Sequence, residues 1–125
     1  MEGVKILVVD DEETIRELFK EYMEEDGFLV KVASSGKEAI DIVKAEDFGL
    51  FLIDLIMPEM DGIELLQELR RLDIRTPAIV LSAYEAEFDE SKKQSLNIIG
   101  LISKGTPMSE LSSKIREHIS KFKIK

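Results

Sequence analysis

The sequence contains no cysteine and a single histidine. Without cysteine there are no disulfides, zinc–thiolate or iron–sulfur centres, and no thiol nucleophile. One histidine, His118, excludes a multi-histidine metal site. Long apolar runs are also missing. Leu50-Phe51-Leu52-Ile53 is closed at once by Asp54, whereas a membrane span needs about 18 such residues. Excess positive charge is absent too. Lys and Arg number 17 against 26 Asp and Glu, a net charge of −9, so no direct nucleic-acid binding is expected. The opening Met1-Glu2-Gly3-Val4-Lys5 leads straight into a strand-like run and does not read as a signal peptide. A cytoplasmic protein without membrane insertion is expected. What is present is a hydrophobic content of 44%, enough for a core. The length suits one domain over residues 1–125.

The hydropathy pattern alternates regularly. Ile6–Val9, Phe28–Ala33, Leu50–Ile53, Ala78–Leu81 and Gly100–Ser103 read as five strands. Most are continuously aliphatic, as in a sheet covered on both faces. Between them lie helical stripes. Ile15, Leu18, Phe19 and Tyr22 form one; Ala39, Ile40 and Val43 another; Ile63, Leu66 and Leu69 a third. Ser35…Glu38 and Asp61…Glu64 have capping-box spacing. Gly27 and Asn97 suit left-handed helix ends. Tyr84–Leu96 reads as a loop and a short, weak helix, with an acidic run Glu85–Glu90. A last helix, capped by Thr106 before Pro107, carries Met108, Leu111, Ile115, Ile119 and Phe122 inward. The expected fold is α/β: a (βα)5 doubly wound, five-stranded parallel sheet, flavodoxin-like, with strand order 2-1-3-4-5.

Such sheets bind ligands beyond the carboxyl ends of their strands. Asp10 and Asp11 stand there after strand one, Asp54 after strand three, Ser82 after strand four and Lys104 after strand five. Clustered carboxylates repel one another, and a divalent cation relieves this. An all-oxygen donor set selects a hard ion, Mg²⁺ or Mn²⁺ as substitute. Lysine, serine and Mg²⁺ together suit a phosphoryl group. A carboxylate can accept it as an acyl phosphate. Asp54, on the central strand, is the best candidate acceptor. Asp10 and Asp11 then hold the metal, and Ser82 and Lys104 bind phosphoryl oxygens. Singly, each residue has an ordinary structural explanation: Asp11 as a helix cap, Ser82 as a turn residue, Lys104 as a strand-end lysine. Jointly, five at matching strand ends point to a site.

These residues carry a resemblance. Val8-Val9-Asp10-Asp11-Glu12, Ile53-Asp54-Leu55-Ile56-Met57-Pro58-Glu59-Met60-Asp61-Gly62, Val80-Leu81-Ser82-Ala83-Tyr84 and Ser103-Lys104 resemble the receiver domains of two-component response regulators, the CheY-like superfamily. The likeness runs from Lys5 to the last helix. It implies that Asp54 takes a phosphoryl group from the phosphohistidine of a sensor histidine kinase or histidine phosphotransfer protein. It implies Mg²⁺ on Asp11, Asp54 and the backbone carbonyl of Ile56, with Asp10 acting largely through a water. It also implies a switch in partner binding at the face of helix four, strand five and helix five. The domain is expected to be a stand-alone phosphoacceptor rather than an enzyme, a monomer whose downstream target the sequence does not name.

Three residues depart from the family pattern. Leu101 stands where an aromatic switch residue is common, Gly105 follows Lys104 in place of proline, and Thr106 takes a usually hydrophobic place. Ile56 and Tyr84 flank the acceptor and are read as shielding the acyl phosphate from water. Rival readings are a haloacid-dehalogenase-like Mg²⁺ phosphatase using Asp10, a flavin-binding module and a phosphorylation-independent pseudo-receiver. The loop Asp10-Asp11-Glu12-Glu13-Thr14 is too acidic to cradle a flavin phosphate.

Overall fold

The computed structural model describes residues 3–83 and 90–122. Ten elements alternate: β1 (Lys5–Val9), α1 (Glu13–Glu25), β2 (Leu29–Ala33), α2 (Gly36–Ala45), β3 (Leu50–Asp54), α3 (Gly62–Arg71), β4 (Ala78–Ser82), α4 (Ser91–Ser95), β5 (Ile98–Ser103) and α5 (Met108–Phe122). All pairings are parallel, in the order β2-β1-β3-β4-β5. This is the expected doubly wound arrangement. Tyr84, residues 85–89 of the acidic stretch, the side chain of Phe122, Lys123 and Lys125 lie outside the described residues.

Period-two alternation explains the two cores. Ile6, Val8, Leu50, Leu52, Ile79 and Leu81 pack with Phe19 and Met23 of α1 and Leu111, Ile115 and Ile119 of α5. Leu7, Val9, Phe51, Ile53, Ala78 and Val80 pack with Ala39 and Val43 of α2 and Leu65, Leu66 and Leu69 of α3. Central strands covered on both sides can therefore be continuously aliphatic. The edge strand β2 differs. Leu29 there is exposed, and only Ala33 is fully buried.

Two helix stripes come out shifted from expectation. On α1, Met23 takes the buried place and Tyr22 is exposed. On α3, Leu65 is fully buried and Ile63 only partly. The weak fourth helix is a single short turn, α4, with no buried residue of its own. Gly27 and Asn97 do adopt left-handed backbone, φ 95° and 53°. The last helix opens at Met108, one residue later than a Thr106 cap requires.

The capping signals are largely realised. Ser35 Oγ accepts from Glu38 N, while Glu38 reaches back to Ser34 N. Asp61 and Glu64 form a full reciprocal box, at 2.8 and 3.1 Å. Asp61→Ala is expected to lose about 1 kcal/mol of stability, read as a lower urea midpoint with unchanged slope.

Candidate functional site

The β ladders run to the last residues of their strands. Asp10 N donates to Ala33 O, Leu55 N to Leu81 O and Lys104 N to Ser82 O. Strand ends so tied hold their side chains in fixed register. Asp10 lies two residues beyond Val8, Asp54 two beyond Leu52, and Lys104 two beyond Ile102. All three reference residues belong to the α1–α5 core. The same period therefore sends Asp10, Asp54 and Lys104 to one side of the sheet edge.

There they meet. Lys104 Nζ lies 2.9 Å from Asp54 Oδ2, 3.3 Å from Asp10 Oδ2 and 3.6 Å from Glu12 Oε1. Asp54 is 2% exposed and Asp10 wholly buried, so these are costly charges rather than surface decoration. Asp10 Oδ1 accepts from Glu12 N and Asp54 Oδ1 from Ile56 N. Asp10 Oδ2 is buried and has no hydrogen-bond partner. The lysine supplies it only an ion-pair contact.

Asp10, Asp11 and Glu12 present carboxylate oxygens within 4.8 Å of one another. Asp54 stands outside that trio, bonded to Lys104 instead. Asp11 is exposed and does not cap α1; Glu12 occupies the cap position, with no side-chain bond to the helix. Ser82 is buried at the end of β4, opposite Ser103 in the ladder. Ile56 stands at the rim, 59% exposed. Tyr84, its expected companion in shielding, is not among the described residues. Lys104–Gly105 is trans, as are all described peptide bonds, and Gly105 needs no positive φ. The donor set fits a hard divalent ion: all oxygen, mostly anionic, with one buried oxygen left unsatisfied.

Two participants were given no role by the sequence. Glu12 joins the acidic trio from the helix cap. Arg16, one turn into α1, donates to the backbone carbonyl of Asp10 at 2.8 Å. The i, i+6 spacing of that bond follows only from the turn between β1 and α1.

Burial pushes the carboxyl pKa of both Asp10 and Asp54 above the ordinary value. Lys104 and the backbone donors only partly oppose this, and each acid also feels a neighbouring aspartate, Asp11 or Asp10. Burial works against the Lys104 ammonium, but its bond to Asp54 and the charges of both aspartates outweigh that and raise its pKa. For acids raised in the folded state, the native protein holds more protons than the unfolded chain. Their contribution to stability therefore falls as pH rises from the unfolded value near 3.8 through the folded values. Without Mg²⁺, Asp10→Asn is expected to be more stable than wild type at pH 7, with a shallower loss above pH 4, as followed by thermal melts.

Fold and site together define a doubly wound domain with a buried aspartate, lysine and acidic pocket at the carboxyl edge of its sheet. The response regulator receiver domain family matches residues 6–116, and the chain belongs to that family, whose role is phosphoacceptor signalling. The phosphatase and pseudo-receiver readings are not favoured. The chain is 32% identical over 120 residues to the alkaline phosphatase synthesis transcriptional regulatory protein PhoP of Bacillus subtilis, covering 96% of this chain and 50% of that protein. It is 43% identical over 79 residues to the transcriptional regulatory protein SrrA of Staphylococcus aureus, covering 63% and 32%. The chain thus spans half or less of these curated relatives. Among solved structures, the Francisella response regulator 1452 receiver domain superposes with a TM-score of 0.83 at 31% identity, covering 96% of this chain and 99% of that one. Response regulator TrrA of Thermotoga maritima, solved in complex with Mg²⁺–BeF, superposes with 0.77 at 32% identity, covering 94% and 99%. No helix among the described residues is long and apolar enough to cross a membrane.

Proposed function

We propose that Asp54 is the phosphoacceptor of this receiver. One observation carries the reading: a nearly fully buried carboxylate on the central strand, 2.9 Å from a lysine ammonium and beside a second buried aspartate with an unsatisfied oxygen. An Asp54 carboxylate oxygen attacks the phosphorus of a phosphohistidine. The new O–P bond forms as the P–N bond breaks, and the donor imidazole leaves with its electron pair. Lys104 exchanges its bond to Asp54 for one to a phosphoryl oxygen, holding charge that develops during transfer. The Ser82 hydroxyl stands at the neighbouring strand end as a further donor.

Asp10, Asp11 and Asp54, with the Ile56 carbonyl, would hold Mg²⁺, for which Mn²⁺ could substitute. When bound, the ion neutralises the facing carboxylate and phosphoryl charges. Asp10, whose buried Oδ2 has no hydrogen-bond partner, would face the ion directly or through a water. Exposed Ile56 covers the rim and limits water access to the acyl phosphate. The donor is a sensor histidine kinase or a histidine phosphotransfer protein. The downstream target is a protein that reads the phosphorylated state of this receiver domain, which acts as a monomer in the cytoplasm.

The chemical class is tested by incubating the protein with Mg²⁺ and acetyl phosphate, then treating it with hydroxylamine. An acyl phosphate is discharged by that nucleophile. A phosphoryl group that survives is an ester on serine or threonine and contradicts the proposal.

A further inference from the structure

Among the described residues, the buried charged side chains are Asp10, Asp54 and Arg70. The two aspartates belong to the site. Arg70 lies at the opposite edge of the sheet, on the last turn of α3. No carboxylate among the described residues pairs with it. Its Nε donates to the Leu96 carbonyl and its Nη1 to the Ile74 carbonyl, both at 2.8 Å. Its Nη2 is buried with no partner. Burial, with the Arg75 charge nearby, pushes the guanidinium pKa down to about 10. A buried cation so poorly compensated is a weak device for stability. Buried polar groups of this kind are best attested as fixing register.

The helix before the strand entry that Arg70 holds does little to fix it, although Ile98 and Ile99 of the strand itself are buried, one in each core. Leu96 ends α4, a five-residue helix with no buried residue. The Leu96 side chain does reach the core. Asn97 follows with left-handed backbone, its Nδ2 donating to the Arg75 carbonyl at 2.9 Å. Its own carbonyl accepts from Ala78 N at 3.1 Å. The turn into β5 is therefore pinned to the α3–β4 connection by polar contacts to its backbone, added to the apolar burial of Leu96 and Ile98. β5 is an edge strand, paired with β4 alone. Its ladder is also irregular: Ala78 faces Ile98, but Ile79 faces Gly100, leaving Ile99 as an extra residue. An edge strand with such a bulge has a neighbouring register one residue away, which would turn its side chains to the other face. A slip of one residue moves the far end by about 3.3 Å. At that end stands Lys104, 2.9 Å from Asp54.

We infer that Arg70 is the register key of β5. By holding the Leu96 carbonyl at the strand's entry it determines which residue arrives beside Asp54. It is thus a positioning residue for Lys104, acting from the opposite edge of the sheet. Its link to phosphoryl uptake rests on the proposed role of Asp54; its hold on β5 does not.

The test compares Arg70→Met, Arg70→Lys and Asn97→Ala with wild type by amide hydrogen exchange and by phosphoryl uptake from acetyl phosphate. Methionine keeps an apolar stem and removes both bonds; lysine can restore one. In Arg70→Met, β1 and β3 amides are expected to exchange at wild-type rates, while β5 amides exchange at least about tenfold faster. Phosphoryl uptake slows by a similar factor, and Arg70→Lys falls between. Should Arg70→Met fail to fold, the other two variants carry the test, with the same β5-selective pattern expected. Unchanged β5 exchange overturns the inference, as does a loss spread evenly over β1, β3 and β5. Selective loosening of β5 with wild-type uptake overturns the link to Lys104. Failure of the Asp54 proposal shows separately, as no uptake in wild type, and leaves the exchange result decisive for the register.

Discussion

Asp54→Ala is expected to remain folded and to take up no phosphoryl group from acetyl phosphate and Mg²⁺, as read by intact mass. The loss is complete rather than partial because, among the described residues, no second carboxylate is placed to replace it. Asp10 is equally buried, but its Oδ1 is held by Glu12 N, and its Oδ2 faces the Lys104 ammonium at 3.3 Å. Asp11 and Glu12 are exposed and lack the low-dielectric setting in which Lys104 can act strongly. The fold survives because the variant removes a carboxylate whose ionisation burial already opposes. Lys104 keeps its contact with Asp10. An adduct that persists in Asp54→Ala at the wild-type rate moves the chemistry to another residue.

Gly62→Ala is expected to damage both stability and uptake. Gly62 opens α3 directly after the Asp61 cap, and its N–H donates to the Leu55 carbonyl at 2.9 Å. A Cβ there would stand 2.5 Å from the Asp54 carbonyl oxygen, 3.0 Å from Leu55 Cα and 3.1 Å from Ile53 Cγ2. Two of these are backbone atoms of Asp54 itself and of the residue that follows it, so no rotamer change relieves the clash. Overpacking of this kind costs about 1–3 kcal/mol, occasionally more. Relief requires α3 and the end of β3 to separate, which carries Asp54 away from Lys104. The predicted result is a lower urea midpoint together with slower phosphoryl uptake. Gly105→Ala is the matched control. Its Cβ would meet only Ser103 Oγ, at 3.5 Å, and its stability is expected to stay near wild type. Equal stability of Gly62→Ala and wild type would show that the helix start is not packed as described.

Strands β1, β3 and β4 were legible because both faces of each are covered, so their sequences are almost wholly aliphatic up to the terminal Asp or Ser. The strand ends then located Asp10, Asp54, Ser82 and Lys104 without any knowledge of the packing. Helix faces were less legible. Leu65 and Leu66 are adjacent and both buried in α3, because the apolar stripe of that helix is broad. Tyr22 looks apolar by spacing, yet Met23 takes the inner place. The supporting contacts were not legible. Arg16 to Asp10 O, Arg70 to Leu96 O and Asn97 to Arg75 O are side-chain bonds to backbone carbonyls. A carbonyl is the same at every residue, so no residue pattern marks the acceptor. Glu12 was visible within the acidic motif, but its place beside Lys104 depends on the turn that ends β1.

The most direct measurement is to locate the phosphoryl group. Wild-type protein is phosphorylated with Mg²⁺ and acetyl phosphate, reduced with borohydride and digested, and the peptides are sequenced by mass spectrometry. Reduction converts an aspartyl phosphate to homoserine. The account predicts homoserine at position 54 and nowhere else. Homoserine at position 10, or an intact phosphoryl ester on Ser82 or any other hydroxyl, would contradict it.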